Sequence, residues 1–209
     1  MTELVRNGIF VSPLYHGTTT LFVESIKKYG LGGRDIVKEW NLVKVYGELF
    51  NLAEEKLVKS DVWQKGRKRA SYIALQKNSE DEFNFNFSHG HAYVTPDRKT
   101  ARKYANIEEG CEMLQYIKGL ALLLAGKGLF FEVKKIIPKE IEDVLTKNYE
   151  PILLELHDVK WCDVEPENGT DKEHLLSLWS VAFEKNIDPR ELTSWRLKNP
   201  YSGKLKIIA

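Results

Sequence analysis

Two short segments carry residue types that could grip a ligand. Tyr15-His16-Gly17-Thr18 closes an apolar stretch near the start of the chain. His91-Ala92-Tyr93-Val94-Thr95-Pro96-Asp97 runs on into Ala101, Tyr104 and Ala105. A neutral imidazole at His16 can hydrogen-bond a sugar hydroxyl. Gly17 has no side chain, so a ligand can lie against its backbone N–H and C=O, a donor and an acceptor that together match a carboxamide. Tyr93 and Tyr104 are placed to hold a planar ring between their faces. Taken singly, the histidine fits a satisfied structural residue and the tyrosines fit core aromatics with wet hydroxyls. Taken together, they suit a flat, charged, hydroxyl-rich ligand such as a nicotinamide dinucleotide.

These residues need strand ends to hold them. Phe10 to Tyr15 reads as a short strand ending at His16, with the hydroxyls of Thr18, Thr19 and Thr20 as caps for a helix over Leu21 to Tyr29. Gly30, Gly32 and Gly33 stop that helix. Ala92 to Val94 reads as a strand, and Thr95-Pro96-Asp97 opens the helix that carries Ala101, Tyr104 and Ala105. Helical spacing predicts one or two helices over Glu39 to Leu57 and another over Cys111 to Leu124. Ala70 to Leu75 fits a strand or a short helix. Phe83 to Phe87 alternates strictly, as a half-buried strand does. Leu129 to Ile137 is rich in β-formers, Pro138 to Leu145 fits a turn or short helix, and Ile152 to Val159 and Lys204 to Ile208 read as strands. Pro166 to Gly169 reads as a turn, Leu175 to Phe183 as helical, and Asp188-Pro189 as a helix start. Strands and helices mix without regular βα alternation, so the fold class is α+β.

The 209 residues suffice for a single domain, with a core over about 10–165 and a C-terminal extension, 166–209. Hydrophobic residues make up 43% and charged residues 29%, and the net charge of +1 argues against bulk affinity for phosphate backbones. The longest apolar stretch, Leu120 to Ala125, is too short to span a bilayer, and the first residues show no secretory pattern. The expectation is therefore a cytoplasmic protein without membrane partners, its two cysteines, Cys111 and Cys162, being free thiols. His89, His91 and His157 have no ligand spacing that points to a metal, and Gly30-Leu31-Gly32-Gly33 lacks the rest of any phosphate loop. The run Lys65-Gly66-Arg67-Lys68-Arg69 reads first as a solvated face and second as a contact for a phosphate-bearing ligand or nucleic acid.

The YHGT segment followed by AYVTPDRKTARKYA resembles the ADP-ribosyltransferase superfamily, in its histidine–tyrosine–glutamate branch typified by diphtheria toxin and the poly-ADP-ribose polymerases. Tyr93 and Tyr104 match the branch's eleven-residue spacing. The resemblance covers roughly Leu14 to Val159 and implies a split antiparallel sheet with an NAD cleft between its central strands. It implies that His16 meets the adenosine ribose, that Gly17 holds the carboxamide beside Thr18, and that Tyr93 and Tyr104 stack the nicotinamide. Ala101 departs from the pattern, since a carboxamide-binding serine is common at that position, and Thr100 is its nearest substitute.

The branch's third member is a glutamate at the start of a late strand, where a fixed carboxylate steadies the cation formed as nicotinamide leaves. Asn148-Tyr149-Glu150-Pro151-Ile152 looks most like that start, which makes Glu150 the expected catalytic acid beside His16 and Tyr93. Glu155 is its rival, an acid inside an apolar strand, and Glu132 shares that oddity on the preceding strand. The resemblance implies mono-ADP-ribosyl transfer from NAD to a protein or nucleic-acid acceptor, in keeping with a toxin or a phage or defence effector. A binding module of the same fold without catalysis, and more distantly an RNA 2′-phosphotransferase, stand as alternatives.

Overall fold

Two short, mostly buried strands build the centre of the first unit. The computed structural model describes residues 4–77, 87, 89–107, 109–166 and 194–208. These group into two compact units, drawn from Met1–Arg34, His91–Gly110 and Tyr149–Ala209, and from Asp35–Gly90 and Cys111–Asn148. Both helices and small antiparallel sheets are present, an α+β architecture.

The first unit holds the sheets. Strands β1 (Val5–Arg6) and β2 (Ile9–Phe10) form a hairpin. Its two-residue turn, Asn7-Gly8, has φ of 50° and 74°, the left-handed pair that such a turn demands. Strand β3 (Leu14–Thr19) and strand β5 (Pro151–Leu156) pair antiparallel, with His16 opposite Leu154, and β8 (Leu205–Ile208) adds to the far edge of β5. A second sheet has the order β4 (Tyr93–Val94), β7 (Trp195–Leu197), β6 (Val164–Pro166). Among the described residues one backbone bridge, Tyr15 opposite Thr95, joins the two sheets.

Alternation along β3 and β5 separates two faces. Leu14, Leu154 and Leu156 join Val94, Val164 and Trp195 in one buried apolar cluster, against which Val23 and Ile26 of helix α1 (Val23–Tyr29) pack. The other face bears Tyr15, Gly17 and Glu155 and is crossed by a helix after β4, Arg98–Ala105, whose buried residues are Ala101 and Ala105. A Cβ on Gly17 would lie 1.9 Å from the Ala101 carbonyl oxygen, so glycine is what lets that helix come down on the strand.

The second unit is helical: α2 (Ile36–Glu39), α3 (Leu42–Lys56), α4 (Asp61–Leu75), then, with Arg98–Ala105 of the first unit counted as α5, α6 (Glu112–Ala125), α7 (Phe130–Ile136) and α8 (Lys139–Leu145). Leu42, Val45, Leu49 and Ala53 of α3 are buried at helical spacing, as are Met113, Leu114, Ile117 and Leu124 of α6, and the two helices pack together.

Several local expectations change. Leu129 to Ile137, rich in β-formers, is mostly the helix α7. Val133 alone is buried there, Phe130 and Phe131 being exposed, and Lys134 and Lys135 stand at the helix end where cations are favoured. Glu132 therefore sits on a helix and not within a strand. Ala70 to Leu75 is the end of α4, and the basic run lies within that helix. The threonines after Gly17 do not cap through their side chains: a 3-10 turn, Thr20–Phe22, precedes α1, and the Thr19 hydroxyl is buried with no partner among the described residues. The alternating segment before Phe87 and both helices expected after Asn168 fall outside the described residues. Among the described residues no helix is long and apolar enough to cross a membrane.

Candidate functional site

The site begins with how β3 spends its backbone. Tyr15 gives its N–H to the Thr95 carbonyl at 2.7 Å and accepts from the Thr95 N–H at 2.9 Å. In an antiparallel ladder the backbone groups of alternate residues point to the same edge. Gly17, two residues on, thus turns its N–H and C=O toward the β4 side, away from β5. Extending the bridge register would set Gly17 opposite Tyr93. Among the described residues the recorded backbone bridge between the two strands is Tyr15–Thr95, and beyond it the Nδ1 of His16 lies 2.7 Å from the Tyr93 carbonyl oxygen. The notch so left in the ladder has Gly17 beside it, buried under α5.

The same bond fixes the histidine's chemistry. A carbonyl only accepts, so Nδ1 carries the hydrogen and Nε2 presents a lone pair. Burial lowers the His16 pKa, and the Tyr93 carbonyl, which favours the charged ring, offsets this only in part. His16 is therefore a neutral acceptor at neutral pH, suited to a hydroxyl donor.

Tyr93 is half-buried, and through the Tyr15–Thr95 pairing its side chain shares the face of Gly17 and α5. Asp97 caps α5 with both carboxylate oxygens, accepting from the N–H groups of Lys99 and Thr100 at 3.1 and 2.8 Å. The helix thus starts two residues after the bridge strand and carries Tyr104, 44% exposed, on the side of the sheet that bears Tyr93. The Ala101 backbone is pressed against Gly17, and Ala101 itself is buried. Thr18 is buried and lies opposite Ile152, on the His16 side of β3. On that side a groove of about 330 Å³ is lined by Ile26, Lys28, Tyr29, Leu154, Tyr201 and Ile207.

The acids fall elsewhere. Glu150 is exposed and precedes β5; its backbone pairs with Thr20, the Thr20 N–H donating to its carbonyl at 2.9 Å. It lies four residues from Leu154, the partner of His16, or about 13 Å along the strand. Glu155 is opposite Tyr15, on the face of Gly17 and Tyr93, and one oxygen is 2.6 Å from the Nε2 of His157. The structure thus joins the His16 ring to the Tyr93 backbone carbonyl, sets Gly17, Tyr93, Tyr104 and Glu155 on one face with the His16 side chain on the other, and holds Glu150 apart.

Two residues escaped sequence reasoning. Arg196 stands opposite Tyr93 on β7, and Glu165 stands opposite Arg196 on β6. The three side chains form one row on one face. The Nη2 of Arg196 donates to Glu165, and its Nη1 lies 3.1 Å from the Nε2 of His91. The His91 and Tyr93 rings meet edge to face at 6.5 Å. No local pattern marks Arg196, because strand order alone brings it to Tyr93.

Compared with known proteins, the chain matches no family model, no curated protein and no solved structure.

Proposed function

We propose that this chain binds NAD at the notch between β3 and β4 and transfers its ADP-ribose to a macromolecular acceptor, protein or nucleic acid, releasing nicotinamide. The observation that carries the reading is the His16–Tyr93 bond beside the Tyr15–Thr95 bridge. It puts a neutral imidazole against the backbone of Tyr93, whose ring is on the face of Gly17. That set matches a ribose hydroxyl, a carboxamide and a flat ring. The parting of two small antiparallel sheets at a single bridge is what a split-sheet, ADP-ribosyltransferase-like fold requires.

In this reading the Nε2 of His16 accepts from a ribose hydroxyl. Gly17 N–H donates to the carboxamide oxygen and its C=O accepts from the carboxamide nitrogen. Tyr93 and Tyr104 close on the nicotinamide ring. The C1′–N bond breaks with its electron pair going to nicotinamide, a carboxylate steadies the cation, and the acceptor's nucleophile attacks C1′ and loses its proton. Of the two acids on or beside β5, Glu155 has the better claim, being on the Tyr93 face with one oxygen anchored by His157. That anchoring also favours a second reading, in which the chain binds NAD without turning it over.

The test follows nicotinamide release and transfer of labelled ADP-ribose by the full chain. Release by wild type and its loss in His16→Ala support transfer. Calorimetric NAD binding without release selects the binding module. Wild type that neither binds nor consumes NAD sinks both.

A further inference from the structure

We propose that Arg196 is the phosphate-binding residue of this site, taking the diphosphate of a nucleotide whose ring lies against Tyr93. The inference rests on the nucleotide reading of the notch but assigns a residue and a ligand group which that reading leaves without a partner.

Position comes first. Arg196 and Tyr93 are directly opposed on neighbouring strands and share a face, so their Cβ atoms are about 5 Å apart. A ligand stacked on the tyrosine cannot avoid the reach of the guanidinium. Orientation comes second. Glu165 and His91 hold two sides of the Arg196 fork, so its plane is set before any ligand arrives. Less side-chain entropy is then lost on binding. Capacity comes third. A guanidinium has five N–H donors; one meets Glu165 and one meets His91, and among the described residues the rest are left for water or for ligand oxygens. The side chain is 35% exposed, so a phosphate can reach those donors. Paired N–H groups in a planar fork match two phosphate oxygens, which an ammonium does not do.

The contrast with Arg67 makes the case sharper. That guanidinium closes on one carboxylate, with Nε and Nη2 both on the same oxygen of Glu54. It is a surface ion pair and no more. Arg196 is spread between a carboxylate and a neutral ring nitrogen beside a tyrosine, with donors to spare.

Glu165 gives the proposal its test. Its carboxylate orients Arg196 and also repels an incoming anion. A phosphate site therefore predicts effects of opposite sign: removing the arginine weakens binding, whereas neutralising the glutamate strengthens it. A purely structural ion pair predicts the same sign for both, since either change breaks the pair.

Calorimetric titration of the full chain with NAD, ADP and nicotinamide riboside reads this directly, with thermal melts of each variant alongside. Arg196→Gln lowers affinity for NAD and ADP at least tenfold and leaves nicotinamide riboside, which has no phosphate, within twofold. Glu165→Gln raises affinity for NAD and ADP several-fold. Equal losses of NAD and nicotinamide riboside in Arg196→Gln overturn the proposal, as does a Glu165→Gln variant that weakens ADP. Should Arg196→Gln fail to fold, the sign of the Glu165→Gln effect decides. Arg196-dependent ADP binding in a protein with no affinity for NAD keeps the phosphate site and removes the NAD reading. Wild type that binds NAD but not ADP removes the phosphate site and keeps that reading.

Discussion

His16 in the sheet unit and His89 in the helical unit are both kept neutral by burial, and they differ in what the burial leaves open. His16 commits Nδ1–H to the Tyr93 carbonyl and presents Nε2 at the break between two strands. The His89 side chain is only 8% exposed, its Nε2 has no partner among the described residues, and its ring meets the edge of Tyr116 at 5.7 Å. Burial pushes its pKa down to about 4, with the Glu112 carboxylate no nearer than 3.7 Å. A perturbed histidine is therefore no sign of a site by itself. What marks His16 is a tautomer fixed by the Tyr93 carbonyl, next to the bridge that joins β3 to the second sheet.

Two glycines offer the largest break in that comparison. Gly17→Ala would drive a methyl to 1.9 Å from the Ala101 carbonyl oxygen and 2.4 Å from the Ala105 N, backbone atoms of α5 that cannot step aside cheaply. The helix must lift off β3, at a cost of at least about 3 kcal/mol, and ligand binding at the notch goes with it. Gly66→Ala in α4 meets nothing within 4 Å and replaces the poorer helix former, so it stabilises by about 1 kcal/mol. Urea unfolding of the two variants checks both signs. A Gly17→Ala chain as stable as wild type would mean that α5 does not rest on β3.

His89 gives the next largest effect, and the sign follows from its depressed pKa. Below 6.5 the unfolded chain binds a proton that the folded chain refuses, so stability falls as pH drops from about 6.5 toward 4 and the loss is complete below that. The full difference is about 3 kcal/mol. His89→Leu removes this dependence, so its unfolding midpoint should change less between pH 7 and pH 4 than that of wild type. Identical pH profiles would show that His89 titrates in the folded chain as it does in the unfolded one.

The two regions also differ in how far the sequence foretold them. The helices after His16 and Tyr93 were legible from neighbours in the chain, but the strand limits were not: Phe10 belongs to β2, His16 lies inside β3 and does not end a strand, and Tyr93 opens β4. The α3 and α6 faces were legible through helical spacing for the same reason. Arg196 and Glu165 were not, because only the order β4-β7-β6 brings positions 93, 196 and 165 into one row. The Gly17 edge was half legible: its missing side chain was plain, whereas the direction of its N–H depends on the Tyr15–Thr95 bridge. Leu129 to Ile137 misled because β-propensity is a weak preference that one buried valine and a favourable helix end can outweigh.

The smallest expected effect concerns Glu150, and it sharpens the comparison by its smallness. Its link to β3 runs through backbone: its N–H donates to the Thr20 hydroxyl at 3.1 Å, and its carbonyl accepts from the Thr20 N–H. Glu150→Gln keeps both bonds and changes only an exposed carboxylate about 13 Å along the strand from the His16 level. Stability should hold within about 0.5 kcal/mol, and NAD affinity and nicotinamide release should stay within twofold of wild type. Glu155→Gln differs in kind, because it removes the charge from the 2.6 Å contact with His157 on the face that carries Tyr93. Its nicotinamide release should fall by more than tenfold with NAD affinity little changed, since the carboxylate acts on the cation and not on the bound dinucleotide. A tenfold loss of release in Glu150→Gln, with Glu155→Gln unimpaired, would return the acid's role to the end of the strand and require that the chain before Pro151 swing toward the notch when NAD binds.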